Sequence, residues 1–171
     1  MKRPSLPPVT PLASLGLAAS LLLGLAPAAR AEMAAAGHEP MVLLPNAHAV
    51  QYGPGPASLP RGVRLASLAG DPAKPGPFVL RVIIPPHTVI APHTHSAAEN
   101  LTVISGAMFH EMGPRFERSR GQKVAAGGFV YLPGGMPHTV WTEGAPAELQ
   151  VTGLGPFGVQ YLNPADDPSR H

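Results

Sequence analysis

What most limits this chain is its punctuation. Prolines and glycines, 23 and 19 of 171 residues, recur so closely that no helical period survives in residues 32–60. No amphipathic helix stands out beyond them, because proline removes a backbone donor and clashes with the preceding turn. Breaks fall at Gly70-Asp71-Pro72, Pro85-Pro86, Gly113-Pro114, Gly127-Gly128, Gly134-Gly135 and Glu143-Gly144. Between them lie β-branched and aromatic stretches of strand length: 63–68, 78–84, 89–93, 100–104, 107–111, 123–125, 129–132, 138–141, 147–153 and 158–161. Many short strands at regular spacing predict an all-β antiparallel sandwich or barrel. A jelly-roll barrel closes most of its edges and encloses a cavity where an inward-facing site can sit.

The first residues predict a different fate. Lys2 and Arg3 form a basic head, residues 12–26 are apolar, and Ala29-Arg30-Ala31 supplies the small residues of a cleavage site. This is the layout of a signal peptide over residues 1–31, and the lone Lys-Arg pair favours the general secretory route. The apolar stretch is shorter than the ~20 residues a membrane span requires. Cleavage removes three basic residues, so ten acidic residues then outnumber nine basic ones. The basic pI belongs mostly to the leader and gives no sign of nucleic-acid binding. The mature protein is expected in the periplasm or secreted, with no membrane attachment. Residues 32–60 read as an extended Pro/Gly-rich arm, with 41–44 and 50–52 as edge strands. Residues 61–162 read as the barrel and 163–171 as a tail. No cysteine is present, which excludes thiolate ligands, thiol catalysis and disulfides.

The chemistry concentrates in the stretch from His87 to Gly106. His93 and His95 are two apart, so on a strand both imidazoles point to one face. Small residues at Ser96, Ala97 and Ala98 let the chain turn before Glu99, and the run from Leu101 to Ile104 predicts a second strand returning beside the first. Alternation places Ala91, His93 and His95 on one face, and Glu99, Leu101, Val103 and Ser105 on the facing one. Two imidazoles and a carboxylate suit zinc, iron, manganese, nickel or copper. Alone, an H-x-H pair on a strand is more often a satisfied or surface pair than a metal site, Glu99 also reads as a solvated turn residue, and His138, after a proline, as a loop histidine.

A second motif runs from Gly127 to His138: a glycine turn, a short strand, a Pro-Gly-Gly turn and a histidine. Together the two motifs resemble the cupin superfamily, over residues 60–160. In the first, His93, His95, Glu99 and Gly106 match at the family's spacing; in the second, Gly127, Pro133, Gly135 and His138 match. The resemblance implies a double-stranded β-helix and one divalent transition metal ion held by His93, His95, Glu99 and His138. It also implies a small-molecule ligand or substrate and a homodimer built through sheet edges and N-terminal arms. Two positions depart from the pattern: His87 stands where the first glycine is expected, and Thr142 where the last asparagine is.

Around these ligands, His87, His110, Phe109 and Met136 are candidates for the surrounding shell or the pocket wall. Phe129 and Tyr131 are further wall candidates. Val140 follows His138 inward, and Trp141 points the other way. Arg115, Arg118, Arg120 and Lys123 read as a solvated loop face or as a rim for an anionic substrate. No base or nucleophile beyond the ligands is recognisable. The chain therefore fits a metal-dependent oxidoreductase (dioxygenase-like) or isomerase acting on a small organic molecule. It fits equally a non-catalytic metal- or metabolite-binding or sensing module, or a barrel with a vestigial site.

Overall fold

The computed structural model describes residues 41–171; the expected leader and the first part of the arm lie outside the described residues. Ten strands follow in order: β1 (Gly53–Pro54), β2 (Arg64–Ala69), β3 (Gly76–Ile84), β4 (Val89–Thr94), β5 (Glu99–Met112), β6 (Gln122–Ala125), β7 (Phe129–Leu132), β8 (His138–Trp141), β9 (Ala147–Gly155) and β10 (Gln160–Tyr161). All pairings are antiparallel. One sheet runs β1-β2-β3-β9-β5-β7 and the other β6-β5-β8-β4-β10, with β5 common to both. The result is the expected all-β jelly-roll barrel. Among the described residues no helix is long and apolar enough to cross a membrane.

The period of two along β3 makes the core. Phe78, Leu80, Val82 and Ile84 are buried while the residues between them are not. They meet Leu101 and Val103 of β5, Leu149 and Val151 of β9, and Ile90 and Val140 from the other sheet. Each such side chain contributes about 1.5–3 kcal/mol by leaving water.

The two stretches expected at 100–104 and 107–111 are one strand. β5 continues through Gly106, whose φ of +71° is left-handed; a Cβ there would stand 2.2 Å from the Pro146 carbonyl oxygen. A bulge against β9 between Val103 and Ser105 shifts the phase of the strand. Glu99, Leu101 and Val103 face inward before it, and Met108 and His110 after it. Ser105, expected inside, is exposed and reaches Glu148 instead.

The expected edge strands in the arm do not form. Residues 47–49 make a single 3-10 turn capped by the Asn46 side chain, and only Gly53 and Pro54 pair with β2. Pro45, Pro54 and Pro56 withhold the donors a longer ladder requires. The arm is tied down by Tyr52, whose hydroxyl donates to Glu148 Oε1 at 2.7 Å, beside the Arg81–Glu148 ion pair at 2.7 Å. Burial pushes the Tyr52 hydroxyl pKa up to about 12, with the Glu148 hydrogen bond adding to it. The tail folds into two further 3-10 turns, capped by Asn163 and Asp167.

Trp141 points away from the interior yet is buried. Its indole stacks on Phe109 at 5.4 Å and meets Phe116 at 5.0 Å. A Cβ at Gly121 would come within 1.9 Å of that indole, so only glycine lets the 113–121 segment close over it. Beneath the same segment lie Glu111 and Thr139, directly paired across β5 and β8. The Glu117 amide donates to Glu111 Oε2 at 2.7 Å, and Arg120 Nε lies 3.5 Å from Oε1.

Candidate metal centre

β4 and β5 are not neighbours, although the sequence suggests a strand that returns beside the first. β8 lies between them, and His93 is directly opposite His138 in the β4–β8 pair. Glu99 opens β5 in the other sheet, where it pairs with Leu132 and Gly153. His93 and His138 therefore come from one sheet, His95 from the turn just past β4, and the carboxylate from the other sheet. They meet inside the barrel.

One ring nitrogen from each of His93, His95 and His138 lies within 4.8 Å of the others. Glu99 Oε2 is 3.5 Å from His95 Nε2 and 3.8 Å from His138 Nε2. All four residues are buried. Each histidine turns its Nδ1 to a backbone carbonyl: His93 to Ala91 at 2.7 Å, His95 to Gly158 at 2.8 Å, His138 to Met136 at 3.1 Å. A carbonyl only accepts, so each Nδ1 carries the proton and each Nε2 presents a lone pair. His138 Nε2 is buried without any partner.

The electrostatics agree with the geometry. Burial, and then the neighbouring His138 and His95, hold the His93 pKa down to about 2. Burial brings His95 to about 4 and lowers His138, in both cases against the pull of the backbone carbonyl. Burial alone raises Glu99 to about 7. The imidazoles are thus neutral at physiological pH, and the contacts to Glu99 are not ion pairs. Three neutral nitrogen donors and a carboxylate short of a counter-charge fit a divalent transition metal ion. The Nδ1–carbonyl bonds are the outer contacts that fix tautomer and ring angle at such centres.

Of the other candidates, His110 lies closest. It is buried after the β5 bulge and stacks on His138 with ring centres 5.4 Å apart, and burial lowers its pKa to about 4. His87 is exposed and outside the pocket. Its φ of +56° explains why the family motif has glycine there, and its amide donates to the Glu143 carbonyl at 2.8 Å. Phe109 packs on Trp141 outside the cavity. Met136 is exposed and contributes only its carbonyl, and Phe129 and Tyr131 are exposed on the edge strand β7. Thr142 is buried and bridges the β8 end to the turn before β4, donating to the Pro85 carbonyl and accepting from the Thr88 amide. The basic residues do not reach the cavity: Arg120 pairs with Glu111 and Glu117, and Arg118 lies over Phe116 and Trp141.

The side chains of His93, His95, Glu99 and His138 open onto a cavity of about 90 Å³ walled by aliphatic side chains and Phe157. Ile90, not Ala91, lines it, because a bulge between Ile90 and His93 breaks the alternation of β4. Phe157 stacks on the His95 ring at 4.3 Å and touches Phe78 at 4.9 Å. Neither Phe157 nor Val159 is marked by a motif. The one sign is an aromatic residue set between Pro156 and Gly158, where a turn would ordinarily be polar.

The structure is thus a small all-β barrel enclosing a buried cluster of three histidines and one carboxylate that could hold a metal ion. Residues 80–153 match the family model of the cupin domain, so that stretch of the chain is a cupin domain. No curated protein matches it. Among solved structures it is similar to the polyketide cyclase RemF from Streptomyces resistomycificus, at 20% identity over 76% of this chain and 92% of that one, with a TM-score of 0.58. It is also similar to a candidate acetylacetone dioxygenase from Methylibium petroleiphilum, at 20% identity over 76% and 87% of the two chains, with a TM-score of 0.56. At that identity the likeness establishes the fold alone.

Proposed function

We propose that this cupin binds one divalent transition metal ion through His93, His95, Glu99 and His138 and acts as a metal-dependent oxidoreductase or isomerase on a small organic molecule. One observation carries the reading: three histidines locked by their Nδ1 atoms onto carbonyls, with their free lone pairs and a buried carboxylate converging at the wall of an apolar cavity. Bound iron, manganese or nickel, able to expand beyond four ligands, would supply a Lewis acid or an oxygen-activating centre, whereas four-coordinate zinc would be closed. The chain's own part is to orient the substrate against Phe157 and the aliphatic wall and to exclude water. That the similar structures include a cyclase and a candidate dioxygenase supports a small-molecule substrate.

A binding or sensing role is the second reading. It is favoured by the lining, in which only the four ligands carry a polar side-chain group, leaving no separate acid or base. The leader features support export, to the periplasm or outside the cell. Exposed Phe129, Tyr131 and Leu154 on one outer sheet face support a homodimer.

The test is elemental analysis of the full chain recovered from its native compartment, with oxygen uptake measured with and without chelator. Close to one ion per chain, with chelator-sensitive uptake or isomerisation, supports the enzyme. Tightly held zinc without turnover supports the binder. Wild-type protein that takes up no metal overturns both.

A further inference from the structure

The cavity behind the four ligands is a stack of apolar rows. The register of β3, β9 and β5 sets Phe78, Gly153 and Glu99 side by side, and Leu80, Val151 and Leu101 in the next inward row. Rows are two residues apart, about 7 Å. The Phe78 ring fills the space over Gly153, where a Cβ would stand 3.0 Å from it, and the buried row of Leu80, Val151 and Leu101, followed inward by Val82, Leu149 and Ile84, walls the cavity with aliphatic side chains. Phe157 covers the side against His95, held by the hydrogen bond its amide donates to the Pro72 carbonyl at 2.7 Å and by the hydrogen bond of His95 Nδ1 to the Gly158 carbonyl.

A molecule entering this space meets polar atoms only at the ligand end. Any charge or hydroxyl on its far end would be buried unpaired, at a cost of roughly 1–3 kcal/mol or more for each neutral group. The volume, about 90 Å³, is well under the roughly 150 Å³ of an apolar cavity that accepts benzene. Resting on the metal-site reading above, we propose that the ligand is a compact molecule with its oxygen donors confined to one end and an aliphatic remainder of about three or four carbons. Sugars, amino acids, dicarboxylates and arenes are excluded, and Leu80 is one of the wall side chains that set the volume limit.

The Ni(II)-loaded full chain, whose visible spectrum reports changes in coordination, is titrated with hydroxamates that share one chelating head, and metal content is checked after each titration. Affinity should rise about fourfold per methylene from acetohydroxamate to butyrohydroxamate. It should fall at least tenfold for benzohydroxamate and for the monohydroxamate of succinate, whose tail ends in a carboxylate. Leu80→Ala should raise benzohydroxamate affinity at least tenfold relative to acetohydroxamate. If that variant does not fold, the wild-type series decides alone. A flat series, or a carboxylate tail bound as well as its aliphatic counterpart, overturns the proposal. So does retained nickel that no hydroxamate perturbs, an outcome that leaves the metal site standing. Failure to retain nickel or any other divalent transition metal removes the metal reading itself and this proposal with it.

Discussion

Two faces of the β5–β8 pair bury polar side chains, and they do so differently. On the inner face the histidines carry free lone pairs that converge, with Glu99, on one point. On the outer face Glu111, Thr139 and Trp141 are as deeply buried, and Glu111 Oε1, Thr139 Oγ1 and Trp141 Nε1 also lack hydrogen-bond partners. There, however, the groups are a mixture of donor and acceptors, and Glu111 is already engaged by the Glu117 amide and approached by Arg120. Burial of unpaired polar atoms alone does not mark a site. Acceptors of one kind aimed at a shared point do.

The sharpest way to break the comparison is to truncate one residue on each face. His95→Ala should lower metal affinity by more than a hundredfold and abolish the rise in melting temperature on adding metal. Glu111→Ala should leave metal stoichiometry unchanged by elemental analysis. Metal loss in the outer-face variant would erase the distinction.

Next in size is the pH response of the metal-free protein. Glu99 has a folded pKa near 7, above its ordinary 4.5, so its stabilising share is whole below pH 4.5 and lost as pH rises through 7. Glu99→Gln should therefore be the more stable protein at pH 8, by on the order of 3 kcal/mol in urea denaturation, with the gap closing toward pH 4. His93, His95 and His110 have folded pKa values well below 6.5. Both proteins should therefore lose stability as pH falls from 6.5 toward 4. A gap independent of pH would show that Glu99 is not the group responsible.

Gly121→Ala sharpens the outer face, since the added methyl meets the Trp141 indole. It should cost about 1–3 kcal/mol by chemical denaturation without changing metal content. The smallest effect is expected at His87→Gly, which relieves a left-handed residue that touches no ligand. It should change stability by no more than about 1 kcal/mol, in the stabilising direction, at constant metal content.

The candidate cluster was legible because the resemblance to the two family motifs implies His93, His95, Glu99 and His138 together, and the structure brings those four side chains into one place. Strand positions were legible because β-branched runs lie between glycine and proline breaks. What alternation could not supply were the places where it fails. The bulge after Ile90 puts that residue, not Ala91, on the wall, and the phase shift before Gly106 turns Ser105 out and His110 in. Nor does period two reveal which strands pair, so β8 between β4 and β5 was out of reach. Phe157 belongs to an irregular segment whose contacts are all long-range.

That β8 intervenes has a consequence for how the barrel moves. His93 and His138 ride on one leaf, His95 just past the end of β4, and Glu99 on the other leaf, so an ion held between them would act as a rivet through both. Any breathing that parts the leaves by an ångström would loosen its grip, and an emptied centre would let the β10 end and the Phe157 strap swing more freely. Loading the site should then slow amide exchange across the seam far more than at the distant β1 edge.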